Sequence, residues 1–532
     1  MDTDKKLQEL WKSLENGSTS RRSFLTKAGA LGMSVPVAAM LTGNPAMAGG
    51  VPAMQTAFKA MQDGGVELTV GLVEEPDTLD PHNLTAAAAG LVGYVIMPGL
   101  VWWDFELGVS PMLAESWEQS EDGLVWTFTL RPNLTFHNGK ALTAQEVVRN
   151  FERIMNPEES FLAPDYASVE SVEAPDDLTV VFTLSEPFAP FLAVLTNRCG
   201  ITDMDALDAN APIGAGPFKI VQWTRGTGIQ MEAFEDYWEE GVPVASKVNW
   251  NYYPDDDARM LGMRGGEIDI VYTVPYNQID QVQSDGYMDL DPISGLTHTY
   301  IAFNCEEGPF SDVRVRQAVA HAIDKELIVE GVLWGYADVA NIPFPSSSPW
   351  FVETPDYEYD PEKGKALMEE AGFGDGISLD MPISNDSYTP RIAELIQPDL
   401  AAIGIDVRIV EAEWATYWPE IYLQTKFDIT IMSYSARVDP DQTFYPRYHS
   451  AGVHNATKYS NSRMDELLEA GRREMDTDAR KQIYDEVQLL LVEELPWLWL
   501  FIPNVAMGWQ SNISGFRQHS GNHFYPTQAT RD

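Results

Sequence analysis

Apolar residues alternating with a period of two, in stretches separated by helix-period segments, limit the folds open to this sequence more than any other feature. Val66, Leu68, Val70 and Leu72 alternate with Glu67, Thr69 and Gly71, which places every second side chain on one face of a half-buried strand. The alternation returns at Leu124, Trp126, Phe128 and Leu130, and at Leu178, Val180, Phe182 and Leu184. Between these stretches, Thr143 and Glu146 have the spacing of a capping box ahead of Val147, Phe151 and Ile154, which share one helical face. Further along, the pattern predicts helices near 312–330, 361–371, 390–403, 463–474 and 478–495, and strands near 405–410 and 427–434. Gly372 and Gly404 stand where helix C-caps belong. Strands and helices interleaved in this way, without repeats or low-complexity tracts, describe an α/β architecture of more than one lobe.

The 532 residues exceed one ordinary domain and are short for four, so two or three lobes are expected. A formal charge of −45, with 80 acids against 35 bases, argues against nucleic acid and anionic membrane surfaces, because phosphate binding needs Lys and Arg to displace counterions. The acidity reads as a solubility feature. Cys199 and Cys305 have no Cys or His neighbours at metal-ligand spacing, so no metal site is expected; the pair is either a single disulfide or two buried thiols.

The N-terminal segment reads as an address. Ser20-Arg21-Arg22-Ser23-Phe24-Leu25-Thr26-Lys27 is a twin-arginine pattern followed by a mildly apolar stretch from Ala28 to Leu41, too short and too rich in small residues for a membrane span. Ala46-Met47-Ala48 supplies a small-residue cleavage signal, so residues 1–48 are expected to be a signal peptide and the mature chain to begin near Gly49. No cysteine follows the apolar stretch, so a soluble periplasmic monomer with no lipid anchor is expected.

Several segments, in order, resemble family 5 extracellular solute-binding proteins, the dipeptide, oligopeptide and nickel-binding group. They are Leu68-Thr69-Val70 through Asp77-Thr78-Leu79-Asp80-Pro81, Leu113-Ala114-Glu115-Ser116-Trp117, Phe136-His137-Asn138-Gly139-Lys140, Gly214-Ala215-Gly216-Pro217-Phe218, Gly266-Glu267-Ile268-Asp269, and Asn304 through Phe310 to Ala318. The resemblance spans nearly the whole mature chain. It implies a two-lobed periplasmic binding protein fold with a hinge and an extra subdomain in the N-terminal lobe. The first lobe would comprise 66–98, 212–297 and 502–532, the inserted subdomain 99–211, and the second lobe 298–501. It implies capture of short peptides or peptide-like solutes for an ABC importer, with permease and ATPase subunits as partners and no cofactor. Oligosaccharides, opines and nickel chelates are the alternative ligands.

Such a cleft needs aromatic walls and a few fixed polar groups. One candidate stretch is the loop Glu74-Glu75-Pro76-Asp77-Thr78, of which Glu75, Asp77 and Thr78 are candidate ligand contacts, although an ordinary acidic turn reads the same. Another is Tyr434-Ser435-Ala436-Arg437-Val438-Asp439, from which Tyr434, Ser435, Ala436, Arg437 and Asp439 are candidates. In peptide-binding relatives an acid for the ligand's amino terminus precedes the acid-Pro pair by three residues, a position held here by Ala436. Dipeptide-type relatives carry a carboxylate-binding arginine just before the helix that begins near Pro390, where this chain has Ser384, Asn385 and Asp386. Arg437 can hold a carboxylate or phosphate, or pair with one of the many acids. Asn385, Tyr388, Trp414 and Tyr417 complete the candidate set, the aromatic ones as stacking surfaces or as core.

The rival classes are an exported enzyme and a periplasmic chaperone. An exported enzyme would bring a Cys cluster, a haem-type motif, a Gly-x-Gly-x-x-Gly turn or a Gly-x-Ser-x-Gly elbow, and none is in the sequence. A periplasmic chaperone would bind unfolded chains with little chemical selectivity.

Overall fold

The computed structural model describes residues 66–84, 87–197, 199–386, 388–437, 439–521 and 524–531. The expected signal segment and cleavage site therefore lie outside the described residues, as does Val438. Two seven-stranded sheets organise the rest. The first runs Met288–Leu290, Gly508–Gln510, Ile270–Val271, Val66–Leu72, Ala245–Tyr252, Gly228–Ala233 and Phe218–Thr224 in spatial order. At its centre, Val66–Leu72 pairs in parallel with Ala245–Tyr252 on one side and with Ile270–Val271 on the other. Leu68, Val70 and Leu72 are buried, as their alternation predicts, against Leu91, Val92 and Val95 of the helix Ala87–Ile96. Full burial of each such side chain stabilises the fold by about 1.5–3 kcal/mol.

The second sheet runs Ile293–Ser294, Trp497–Val505, Thr297–Phe303, Ile429–Ser435, Ile377–Ser384 and Ile405–Ala412, with Ala337–Val339 beside Trp497–Val505. Trp497–Val505 begins with seven consecutive buried residues, the sign of a strand covered on both faces. A four-stranded antiparallel sheet of Ala114–Gln119, Val125–Leu130, Thr179–Leu184 and Val169–Glu173 stands apart, with the helix Ala144–Ile154 against it. Its core is aromatic: Phe151 and Phe182 meet edge to face at 4.8 Å, and Phe128 and Phe182 at 5.6 Å. Such contacts add about 0.5–1.5 kcal/mol each beyond area burial.

Two short segments, after Leu290 and after Val505, carry the chain between the two large sheets. They lie side by side, because Leu290 is paired with Gly508 in the first sheet and Ile293 with Val505 in the second. Adjacent crossings of a few residues are the geometry of a hinge. Across the opposite side, Ala189 N–H donates to the Arg472 carbonyl at 2.8 Å and Arg473 pairs with Glu186 at 3.4 Å.

Local predictions held or changed for identifiable reasons. The helices Pro361–Glu370, Thr389–Ala402, Ser462–Arg473 and Thr477–Glu494 lie where they were expected. Gly372 and Gly404 adopt φ +89° and +87° just past their helices, a conformation that glycine enters without steric cost. The segment 312–330 is two helices, Val313–Ala322 and Lys325–Leu333, because Asp324 accepts from Leu327 N–H and starts a second helix. Thr143 makes no side-chain cap. The expected capping box is replaced by ion pairs from Glu146 to Lys140 at 3.1 Å and Arg149 at 3.2 Å, which hold the carboxylate that would have completed it. Both cysteines are free. Burial pushes the Cys199 thiol up to about 12 and the Cys305 thiol up to about 11.

Candidate functional site

The candidate residues lie at or just past the C-terminal ends of the strands Val66–Leu72, Ile377–Ser384, Ile405–Ala412 and Ile429–Ser435. In open α/β sheets these ends border the crevice in which ligands bind. The structure separates the candidates into three groups with different occupations.

The first group is tied into the first sheet. Glu75 accepts from the Trp223 indole N–H at 3.0 Å and from Gly226 N–H at 2.9 Å, so its carboxylate holds the hairpin between Phe218–Thr224 and Gly228–Ala233. Thr78 N–H donates to Asp77 at 2.9 Å, and Thr78 Oγ1 accepts from Asp80 N–H at 3.0 Å. These are the bonds of an acidic turn.

The second group starts at the paired strands Thr297–Phe303 and Ile429–Ser435. Tyr388 bonds Ser433 Oγ at 3.2 Å, and Ser433 bonds Thr299 at 2.9 Å. Beside it, Ser435 bonds Thr297 at 2.8 Å. Tyr276 and Tyr272 stand near Tyr388: burial pushes the Tyr276 hydroxyl up, with Tyr388 and Tyr272 adding to it. The Tyr276 hydroxyl itself donates to the Asn504 carbonyl at 2.9 Å, next to a crossing. Asn385 donates to Glu413 at 2.9 Å. Trp414 is half exposed and stacks on Trp418 at 5.6 Å. Tyr417, in contrast, is wholly buried and spends its hydroxyl on Thr430 and the Ile431 carbonyl, so it serves the core of the second lobe.

The third group is charged. Asp439 is buried, accepts both guanidinium nitrogens of Arg480 at 2.6 and 2.7 Å, and caps the helix Pro440–Tyr448. Ala436 is buried, its N–H bonded to the Leu296 carbonyl. Tyr434 and Arg437 are partly buried. The buried Arg447 lays its guanidinium over the Tyr434 ring at 3.5 Å. Burial pushes the Tyr434 hydroxyl up, but Arg447 and Arg437 together outweigh it and hold the phenol below its ordinary value. His298, fully buried beside Tyr434, is pushed down to about 3 by burial and by Arg447, and stays neutral. Opposite, on the inserted sheet's side, Asp165 keeps accessible surface although the surrounding protein raises its carboxyl, with Arg437 and Arg447 pulling it back down.

Sequence reasoning missed Asp165, Tyr272, Tyr276, His298 and Arg447. Only Arg447 had a detectable signal: a cation within the helix that begins right after the Tyr434–Asp439 stretch. Asp165, in Pro164-Asp165-Tyr166, has the local pattern of any surface turn.

Comparison with known proteins follows this geometry. The family model described as bacterial extracellular solute-binding proteins, family 5 Middle, matches residues 108–455. The glutathione-binding protein GsiB of Pectobacterium atrosepticum is 27% identical over 82% of this chain and 89% of its own length. Heme-binding protein A of Haemophilus influenzae is 31% identical over 73% of this chain and 78% of its own. Among solved structures, the ABC transporter-associated periplasmic binding protein DppA from Helicobacter pylori, in complex with the peptide STSA, superposes with a TM-score of 0.76 at 26% identity, covering 88% of this chain and 99% of that one.

Proposed function

Since this chain belongs to the bacterial extracellular solute-binding proteins of family 5, we propose that it is the periplasmic substrate-binding component of an ABC importer, capturing short peptides or peptide-like solutes in the interlobe cleft. The observation that carries the reading is the pairing of two adjacent lobe crossings with a cleft walled by tyrosines, hydroxyls and a charged cluster. Enclosure supplies affinity, and the few fixed polar groups supply orientation. The lobe division proposed from the sequence is 66–98, 212–297 and 502–532 against 298–501 with 99–211 inserted; the sheets support it in outline but put the crossings near 291–292 and 506–507, because Ile293–Ser294 and all of Trp497–Val505 pair in the second sheet. Closing about the crossings would present the loaded form to a permease and its ATPase subunits, a capture-and-delivery role without bond making.

Thermal unfolding of residues 49–532 against di- to hexapeptides, glutathione, haem, oligosaccharides, opines and nickel chelates tests the reading. A peptide or glutathione at a hundredfold excess over its Kd should add about 2.7 kcal/mol of stability. Shifts confined to sugars, opines, haem or chelates would transfer the protein to that ligand class. Delivery by the twin-arginine route is part of the proposal and rests on Arg21 and Arg22. Replacing both with lysine is expected to leave most of the protein in the cytoplasmic fraction, and undiminished periplasmic recovery would reject that route.

A further inference from the structure

A cavity of about 340 Å3 is lined, among the described residues, only by side chains from 94–112, 217–242 and 515–528. Its volume lies at the lower end of the range for small-molecule pockets. Since no residue of 298–501 lines it, the space belongs to the first lobe and its insert. Its walls follow from local pattern. In the strand Val101–Trp103, Val101 and Trp103 are buried, which turns Trp102 to the opposite face. The loop beyond it carries Phe105 and is held by Asp104, whose carboxylate accepts from Glu106 N–H at 3.0 Å, Gly108 N–H at 2.7 Å and Ser110 Oγ at 2.8 Å. Tyr525 arrives on the C-terminal segment, which is anchored where the Thr527 carbonyl accepts from Val244 N–H at 2.7 Å.

The three rings form a corner. Trp102 and Tyr525 meet at 4.7 Å, Phe105 and Tyr525 at 6.0 Å, and Trp102 and Phe105 at 6.1 Å, with interplanar angles of 79°, 69° and 86°. Edge-to-face packing inside a core gives similar angles, but these rings are only partly buried and all three border the cavity. Mutually upright rings around open space are the arrangement in which π faces surround a cation. The charges on the wall have the matching sign: Asp104, Glu106 and Glu239 against Arg517. Arg517 is spent on Glu106 at 3.7 Å and lies over Phe105 at 4.1 Å, so one cation of the protein already uses this ring. Glu239 is in the field of Arg131, which stacks on Trp238 at 3.9 Å. Asp104 has no cationic partner among the described residues, which leaves one negative charge in excess.

We infer that this cavity is a second binding site, taking a quaternary ammonium group against Trp102, Phe105 and Tyr525 with Asp104 as its counter-charge. A quaternary ammonium has no N–H to satisfy, so ring faces and one carboxylate whose acceptor positions are already occupied meet its needs. A primary ammonium would require acceptors for three N–H groups, which the rings do not supply. The site shares no lining residue with the second lobe, so the inference stands apart from the interlobe reading.

The test is isothermal titration of the purified chain with choline and with its uncharged carbon analogue, 3,3-dimethylbutan-1-ol. Choline should bind about 10-fold more tightly than the analogue, the size of a cation–π attraction in a partly desolvated site. Trp102→Leu should weaken choline about 10-fold, and Trp102→Phe, which keeps a ring, should retain most of the affinity. Asp104→Asn keeps the side-chain oxygen that holds the loop and removes the charge; it should lower choline affinity and leave the analogue unchanged, and it carries the test where Trp102→Leu does not fold. Absence of saturable choline binding overturns the inference, as does equal affinity for choline and the analogue. Choline affinity undiminished in Asp104→Asn, or in folded Trp102→Leu, overturns the assignment to this cavity.

Discussion

Replacing Asp439 with alanine is expected to lower the stability of the folded protein by about 3–5 kcal/mol. The substitution would strand Arg480, which is 6% exposed and held by both oxygens of Asp439, leaving its charge buried without a partner. The remaining Arg480 bond, from Nε to the Gly471 carbonyl at 2.7 Å, does not neutralise a guanidinium. Asp441, the nearest other acid, is pushed up to about 7 by burial and cannot readily take over. Asp439 also accepts from Asp441 N–H at 2.9 Å to begin the helix Pro440–Tyr448, so a cap contributing about 1 kcal/mol goes with it. Urea unfolding measures the loss, and the exposed pair Arg408–Asp380 provides the contrast: Asp380→Asn should be nearly silent, since solvent already screens it. A loss below 1 kcal/mol for Asp439→Ala, accompanied by lost solute binding, would instead make Asp439 a ligand contact. The distinction matters because Asp439 is one of the candidate ligand contacts drawn from the sequence.

Gly214→Ala should cost about 3 kcal/mol, the upper end of what overpacking usually exacts. A Cβ at this position would lie 2.0 Å from the Ile96 carbonyl oxygen and 2.7 Å from its carbon. Those atoms are backbone, at the end of the helix Ala87–Ile96, and cannot swing aside. Nearby, Gly216 N–H donates to the same Ile96 oxygen at 2.9 Å, and a Cβ on Gly216 would come within 2.3 Å of the Val95 oxygen. The Gly-x-Gly-Pro segment therefore lets two main chains touch where the inserted sheet rejoins the first lobe. Gly265→Ala serves as control, because a Cβ there meets nothing within 4 Å. That substitution should be neutral or stabilise by up to about 1 kcal/mol. A calorimetric scan of the two variants decides the matter, and indistinguishable midpoints would mean that the helix end yields to the added methyl.

Glu75 and Arg437 show how far the candidate site could be read in advance. Both were picked out because each stretch follows a strand, and each does lie just past one, Glu75 after Val66–Leu72 and Arg437 after Ile429–Ser435. Their roles diverge through partners remote in sequence. Glu75 is occupied by Trp223 and Gly226, 148 and 151 residues away. Arg437 faces Asp165, which belongs to a different part of the chain. Tyr417 and Trp414 diverge in the same way: three residues apart, one is buried with its hydroxyl satisfied and the other is half exposed.

What the sequence determined by itself is everything encoded within a dozen residues: the alternations that bury Phe128 and Phe182, the glycines that end helices at Gly372 and Gly404, and the ordered motifs that mark the family. These depend on backbone periodicity and steric freedom, which are local properties. Tertiary structure alone decided the charge assignments. It gave Asp439 to Arg480, took Glu146 from its cap, and brought Asp165 into the field of Arg437 and Arg447. A charge acts through space and carries no record in its neighbours along the chain, so in a sequence with more than twice as many acids as bases the partner of each cation emerges only when the lobes are folded together.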